Sequence, residues 1–106
     1  MKKRNIILIG MPGAGKSSVG VILAKALGYE FIDTDLVIQH REKRLLREII
    51  ADEGNEGFLA IENEVNATLE ADESVIAPGG SAIYGKEAME HFKEIGTIVY
   101  LKLSYE

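Results

Sequence analysis

The feature that most restricts the fold of this chain is the glycine-rich segment at residues 10–17, which is GMPGAGKS. The apolar run IILI at residues 6–9 precedes it, and apolar residues at helical spacing follow it as far as Leu27. A buried strand that leads through glycines into an amphipathic helix is the structural context of a phosphate-binding P-loop. The spacing G-x-x-x-x-G-K-S therefore predicts a phosphate site. The less specific alternative is a glycine-rich turn with an exposed lysine.

The residue types of this loop each suit a bound triphosphate. Glycines let the backbone turn its N–H groups towards phosphate oxygens, and the N-terminus of the next helix adds the positive end of its dipole. A lysine can reach the β- and γ-phosphates as a point charge, and a serine hydroxyl can ligate Mg²⁺. The residues expected to bind the nucleotide are Gly13, Ala14, Gly15, Lys16, Ser17 and Ser18.

Strand and helix patterns alternate along the rest of the chain. Further strands are predicted at residues 29–33, 74–77 and 97–103. Helices are predicted at residues 16–27, after a cap at Thr34 or Asp35, on either side of Gly54, and at residues 86–95. This alternation is typical of an α/β domain with a mainly parallel sheet and right-handed crossovers. A length of 106 residues favours a single domain over residues 1–106.

Composition excludes several classes of function. There are 17 acidic and 12 basic residues, so we expect no nucleic-acid partner. The absence of cysteine excludes disulfides and thiolate metal sites, and it favours a cytoplasmic location. The apolar runs are too short for a membrane span, so no membrane partner is expected. His40 and His91 are isolated in the sequence and are expected at the surface.

Two polar segments follow predicted strands. Asp33 and Asp35 lie at the end of the second strand, and Pro78-Gly79-Gly80-Ser81 ends the third. Open parallel sheets bind ligands beyond the carboxyl ends of their strands. One aspartate could hold Mg²⁺ through water while the other orients a substrate hydroxyl. Two ordinary acids at a helix N-terminus, and an ordinary turn, are the alternatives.

Taken together, these residues resemble the shikimate kinase family over the whole length of the chain. The resemblance rests on the P-loop, Asp33 and Asp35, the segment GNEGF at residues 54–58 that leads to Glu62, and the glycines at 79 and 80. It implies a three-layer P-loop kinase fold with a five-stranded parallel sheet. It also implies ATP as donor and phosphoryl transfer to a hydroxyl of a small cyclic acid, a reaction that depends mostly on positioning and charge neutralisation.

The resemblance also implies roles for individual residues. Lys16 would stabilise the transferring phosphoryl group, and Ser17 and Asp33 would serve Mg²⁺. Asp35 would meet the acceptor hydroxyl. The acceptor pocket would include Leu59, Gly79, Gly80 and Ser81.

Two of those pocket positions depart from the family pattern. The resemblance implies an arginine after Phe58 that grips the substrate carboxylate, whereas this chain has Leu59, and it implies a third glycine where this chain has Ser81. Loss of the arginine contact predicts either another cation or a different acceptor. Glu62 would then accept from a substrate hydroxyl or amine, or it is an exposed helix acid. The basic residues nearby are expected on a solvated helix face: Arg41, Lys43, Arg44 and Arg47.

The sequence ends at Glu106, where the family pattern continues into an arginine-bearing lid and a fifth strand. We therefore expect four of the family's five strands and inefficient transfer by this chain alone. The strand at residues 97–103 would be an exposed sheet edge, which predicts self-association. Two alternatives to a kinase for shikimate stay open at this point. One is a nucleotide-binding module without transferase activity, and the other is a kinase for a neutral or cationic alcohol.

Overall fold

A computed structural model describes residues 4–10, 16–79 and 82–101. Its elements alternate along the chain as the sequence predicts, which confirms the α/β class. The strands are β1 at Asn5–Gly10, β2 at Glu30–Asp33, β3 at Ser74–Ala77 and β4 at Gly96–Leu101. The helices are α1 at Lys16–Leu27, α2 at Thr34–Glu42, α3 at Leu46–Ala67 and α4 at Lys86–Ile95, with a 3-10 turn at Ala82–Tyr84.

The four strands form one parallel sheet in the order β2-β3-β1-β4. Ile7 of β1 pairs in register with Ile76 on one side and Ile98 on the other. Asp33 at the end of β2 is level with Ala77 at the end of β3. This register brings the carboxyl ends of β2 and β3 to the same edge of the sheet, where the sequence predicts the site.

Both faces of the sheet are covered, which explains why β1 is apolar at successive positions. On one face, Ile7 and Ile9 pack with Phe92 and Ile95 of α4. On the other face, Leu8 packs with Ala24 of α1. Alternate side chains of a strand point to opposite faces, so a strand buried on both faces needs an unbroken apolar run.

A third apolar cluster joins α2 to α3 through Ile38, Ile49 and Val65. The two helical segments predicted on either side of Gly54 run together as α3, with a kink at that residue. Gly54 has φ 75° and ψ 175°, a conformation that is strained for other residues. Among the described helices, none combines the length and apolar composition that crossing a bilayer requires.

Candidate active site

The candidate site lies at the edge of the sheet where β1, β2 and β3 end. Gly10 is the last residue of β1, and α1 begins at Lys16. A Cβ on Gly10 would stand 2.5 Å from the carbonyl oxygen of Leu101, so this glycine permits the close approach of β1 and β4. The predicted nucleotide-binding residues Gly13, Ala14 and Gly15 lie outside the described residues. Lys16, Ser17 and Ser18 form the start of α1.

Asp33 caps α2, so the prediction that Thr34 or Asp35 would do so is wrong. Its backbone is extended, and its Oδ1 accepts a hydrogen bond from the backbone N–H of Asp35 at 2.9 Å. The reason is that β2 continues to Asp33, which makes this residue the last extended one before the helix and hence the N-cap. Thr34 is instead the first helical residue and is completely buried.

The carboxylates of Asp35 and Glu62 converge beside Gly79. A Cβ on Gly79 would stand 2.9 Å from Asp35 Oδ1 and 2.9 Å from Glu62 Oε2. Glu62 is only 2% exposed, so the interpretation of this residue as an exposed helix acid is wrong. Three elements distant in sequence, α2, α3 and the end of β3, therefore bring two acids to one place.

A cavity of about 290 Å³ adjoins this place, since Glu62 lies in its wall. Leu59 also lies in the wall and is 38% exposed. The complete lining is Leu59, Ala60, Glu62, Asn63, Ala82, Tyr84, Gly85, Lys86 and Glu87. A cavity of this size is suited to a small metabolite. Of the other predicted pocket residues, Gly79 borders the two acids, while Gly80 and Ser81 lie outside the described residues.

Asn63 fixes the wall of the cavity that α4 supplies. Its Oδ1 accepts from the backbone N–H of Ala88 at 3.0 Å, and its Nδ2 donates to Glu87 Oε2 at 2.9 Å. Gly85 is the N-cap residue of α4, but it has no side chain that could accept a hydrogen bond from the first turn. Asn63 supplies that acceptor instead. The hydrogen bond from Asn63 is the main cause of a lowered pKa of Glu87, and a backbone hydrogen bond contributes further. The only sequence signal for the capping of α4 by Asn63 was Gly85, a glycine at a position where a residue with a capping side chain is usual.

The basic residues near α2 do not reach the cavity. Arg44 pairs with Glu42 at 2.9 Å, Asp52 at 3.1 Å and Glu53 at 3.4 Å, and these contacts raise its pKa. Arg41 pairs instead with Glu64 at 2.7 Å. The ion pairs of Arg41 and Arg44 therefore lie at the corner between α2 and α3, outside the lining of the cavity.

The two histidines differ from each other. His40 is exposed, as expected. His91 is only partly exposed, with its Nε2 2.6 Å from the carbonyl oxygen of Leu69. Within residues 4–10, 16–79 and 82–101, no three His, Asp or Glu side chains are grouped closely enough to hold a metal ion by themselves.

Residues 12–106 match the profile of the family described as shikimate kinase. The chain belongs to the shikimate kinase family. Its resemblance to that family, inferred from the P-loop and the acids, is thereby confirmed. The matching part includes Asp33, Asp35, Leu59, Glu62 and Gly79, so these residues of the candidate site fall within the family's domain.

Individual relatives support the same membership. The chain is 39% identical over 101 residues to shikimate kinase 2 of Yersinia enterocolitica and 37% identical to that of Yersinia pseudotuberculosis, covering 95% of this chain in each case. It spans 58% of the length of these curated relatives. Among solved structures, a shikimate kinase of Acinetobacter baumannii in complex with shikimate is 38% identical with a TM-score of 0.88, covering 96% of this chain and 57% of the other. This likeness confirms the shikimate kinase fold.

Proposed function

We propose that this protein transfers the γ-phosphoryl group of ATP to a hydroxyl of shikimate, giving ADP and 3-phosphoshikimate. The observation that carries the proposal is the convergence of Asp35 and Glu62 on Gly79 beside a cavity of about 290 Å³. In a shikimate kinase, carboxylates at that place can hold the hydroxyls of a small cyclic acid. Because the chain spans 58% of its curated relatives, the activity is proposed for the protein to which this part contributes.

The proposed chemistry needs one proton acceptor at the hydroxyl. The hydroxyl oxygen attacks the γ-phosphorus, the bond from that phosphorus to the β–γ bridging oxygen breaks, and ADP leaves. Asp35 takes the hydroxyl proton, because its Oδ1 lies beside Gly79 together with Oε2 of Glu62, a residue that lines the cavity. Glu62 Oε2 orients the acceptor from the opposite helix. Leu59, Gly79, Gly80 and Ser81 complete the proposed acceptor pocket.

The nucleotide and its metal are assigned to the start of α1. We propose that residues 13–18 hold the phosphates of ATP and that Lys16 neutralises the charge of the transferring group. Asp33 and Ser17 would hold Mg²⁺. Asp33 fits this role because its N-cap hydrogen bond uses one of its two carboxylate oxygens, and Mg²⁺ is usually bound by one or two carboxylates together with phosphates and water. When bound, the ion would neutralise phosphate charge.

A coupled assay for ADP with product identification tests the proposal. We expect Asp35→Asn to lower shikimate phosphorylation about a hundredfold or more, since a positioned base contributes on that order. Asp52→Asn is the matched control, because Asp52 lies in an exposed pair with Arg44 away from the cavity. Equal activity in the two variants would remove Asp35 from its role. Binding of ATP and Mg²⁺ without any phosphorylated product would favour a nucleotide-binding module instead.

A kinase for a neutral or cationic alcohol is the second candidate. It is favoured by Leu59, an apolar residue in a cavity wall that also holds Glu62 and Glu87. A screen of hydroxylated metabolites separates the two candidates. Faster turnover of an amino alcohol or a neutral polyol than of shikimate would select this second one.

We also propose that the chain forms one domain and resides in the cytoplasm. A separate proposal is that the chain self-associates through β4. β4 is at the edge of the described sheet, and Val99 and Tyr100 are exposed on it. An exposed edge strand offers its backbone groups to another chain. Sedimentation velocity at rising concentration tests this, and a strictly monomeric profile would contradict it.

A further inference from the structure

The charges around the cavity are unequal. Its wall contains two acids, Glu62 and Glu87, and Lys86 is the single cation that the described residues contribute to it. A substrate carboxylate that enters such a cavity is repelled by both acids unless a cation accompanies it. Any carboxylate-bearing acceptor therefore needs a favourable partner on this lining.

Both acids have defined positions. Glu62 Oε2 lies beside Gly79 and Asp35, where the acceptor hydroxyl is proposed to react. Glu87 Oε2 accepts a hydrogen bond from Asn63 Nδ2 at 2.9 Å. Within the described ranges Lys86 forms no ion pair with either acid or with any other residue, although its charge contributes to the lowered pKa of the neighbouring Glu87. Its ammonium group therefore has donors available for a ligand.

The position of Lys86 also suits this task. Leu59, Ala60, Glu62 and Asn63 belong to α3, whereas Lys86 is the first residue of α4 and lies in the same cavity wall. Because Asn63 holds the first turn of α4 through Ala88, the main chain that carries Lys86 is fixed relative to α3. A flexible lysine side chain on a fixed backbone can follow a small carboxylate without rearrangement of the helix.

We propose that Lys86 binds the carboxylate of the acceptor and so determines that this cavity accepts an anionic cyclic alcohol. The inference rests on the proposed function, because it concerns the same acceptor. It assigns to α4 a contact that Leu59 on α3 is unable to make. The basic residues of the α2–α3 corner are excluded from this contact, since Arg44 and its neighbours are absent from the lining.

Titration calorimetry with two probes tests the inference on the whole chain. The probes are shikimate and its primary amide, which has nearly the same shape and no negative charge. For Lys86→Gln we expect about tenfold weaker binding of shikimate and unchanged binding of the amide, since a charge-assisted hydrogen bond is lost only with the anion. Lys86→Arg should retain tight binding, because it keeps the charge.

Lys93→Gln is the matched control. Lys93 lies on the same helix and is exposed, but it is absent from the cavity lining, and two helical turns separate it from Lys86. The Lys93→Gln variant should bind both probes with the same affinity as the unchanged protein. The change in net charge is then the same in the two variants, and only the place of the lysine differs.

The outcomes separate this inference from the function on which it rests. If Lys86→Gln and Lys93→Gln show the same ratio of shikimate to amide affinity, the role of Lys86 is overturned and the proposed function remains. If the unchanged protein binds the amide at least as tightly as shikimate, the inference is overturned in favour of a neutral acceptor. If the unchanged protein binds ATP with Mg²⁺ but neither probe, the proposed function fails and the inference with it.

Discussion

Asp35 and Glu62 lie 27 positions apart in the sequence, yet Oδ1 of the first and Oε2 of the second are each 2.9 Å from the point where a Cβ on Gly79 would stand. Glycine at this position is what lets the two carboxylates approach the same space. A methyl group there would have to displace both, because atoms at that distance from a Cβ are closer than van der Waals contact allows.

Gly79→Ala should therefore impair the site more than the fold. We expect shikimate phosphorylation to fall on the order of a hundredfold, since small misplacements of reacting groups have effects of that size. Steady-state kinetics measure the loss, and thermal unfolding monitors stability. Normal kcat and KM in Gly79→Ala would show that the two carboxylates are not needed in their present positions.

Lys16→Ala tests the nucleotide half of the proposal. Removal of the lysine charge at the start of α1 should abolish binding of ATP with Mg²⁺ in titration calorimetry, because the lysine is expected to neutralise phosphate charge. Lys25→Ala is the control, since Lys25 is exposed in the last turn of the same helix. Unchanged ATP affinity in Lys16→Ala would be incompatible with a P-loop at residues 10–17.

Leu59→Arg tests the acceptor half. A guanidinium in the cavity wall should lower the KM for shikimate about tenfold, because it adds a charge-assisted partner for the carboxylate. Leu59→Gln is a polar control without the charge. If Leu59→Arg has no effect, or one equal to that of Leu59→Gln, then the absence of a cation at position 59 does not limit acceptor binding.

Asn63→Ala should destabilise the protein by about 1–2 kcal/mol, which is typical for the loss of a helix N-cap. The variant leaves the backbone N–H of Ala88 without its acceptor and removes the hydrogen bond to Glu87. Urea unfolding measures the change. Asn55→Ala, an exposed position on the same helix, should have almost no effect. Equal destabilisation by the two variants would contradict the capping role.

The lowered pKa of Glu87 predicts a dependence of stability on acid. Since the carboxyl has a lower pKa when folded than its ordinary value of 4.5, its contribution is present above pH 4.5 and is lost as the pH falls through the folded pKa. Glu87→Gln should therefore differ from the unchanged protein in urea midpoint at pH 7 more than in strong acid. Glu90→Gln, exposed on the same helix, is the control. A difference that is the same at both pH values would refute the assignment.

The order and type of the main elements followed from the sequence. The phosphate-binding loop, in which residues 11–15 lie outside the described residues, stays a prediction from the same kind of local pattern. Helix α1 at Lys16–Leu27, strand β3 at Ser74–Ala77 and helix α4 at Lys86–Ile95 have the predicted bounds. These features depend on apolar periodicity and on glycines within short windows, which are properties of neighbouring residues. The family itself was recognisable from the combination of such local motifs.

The arrangement of the candidate acceptor site was decided by the tertiary structure. The burial of Glu62, the capping of α4 by Asn63 and the position of Lys86 in the same cavity wall as Leu59 all depend on segments far apart in sequence. A local pattern shows only that Glu62 and Lys86 are charged helix residues, and such residues are usually solvated. Their roles depend on how α3 and α4 pack at the edge of the sheet. That packing is set by apolar contacts between distant segments, so no short stretch of the sequence contains it.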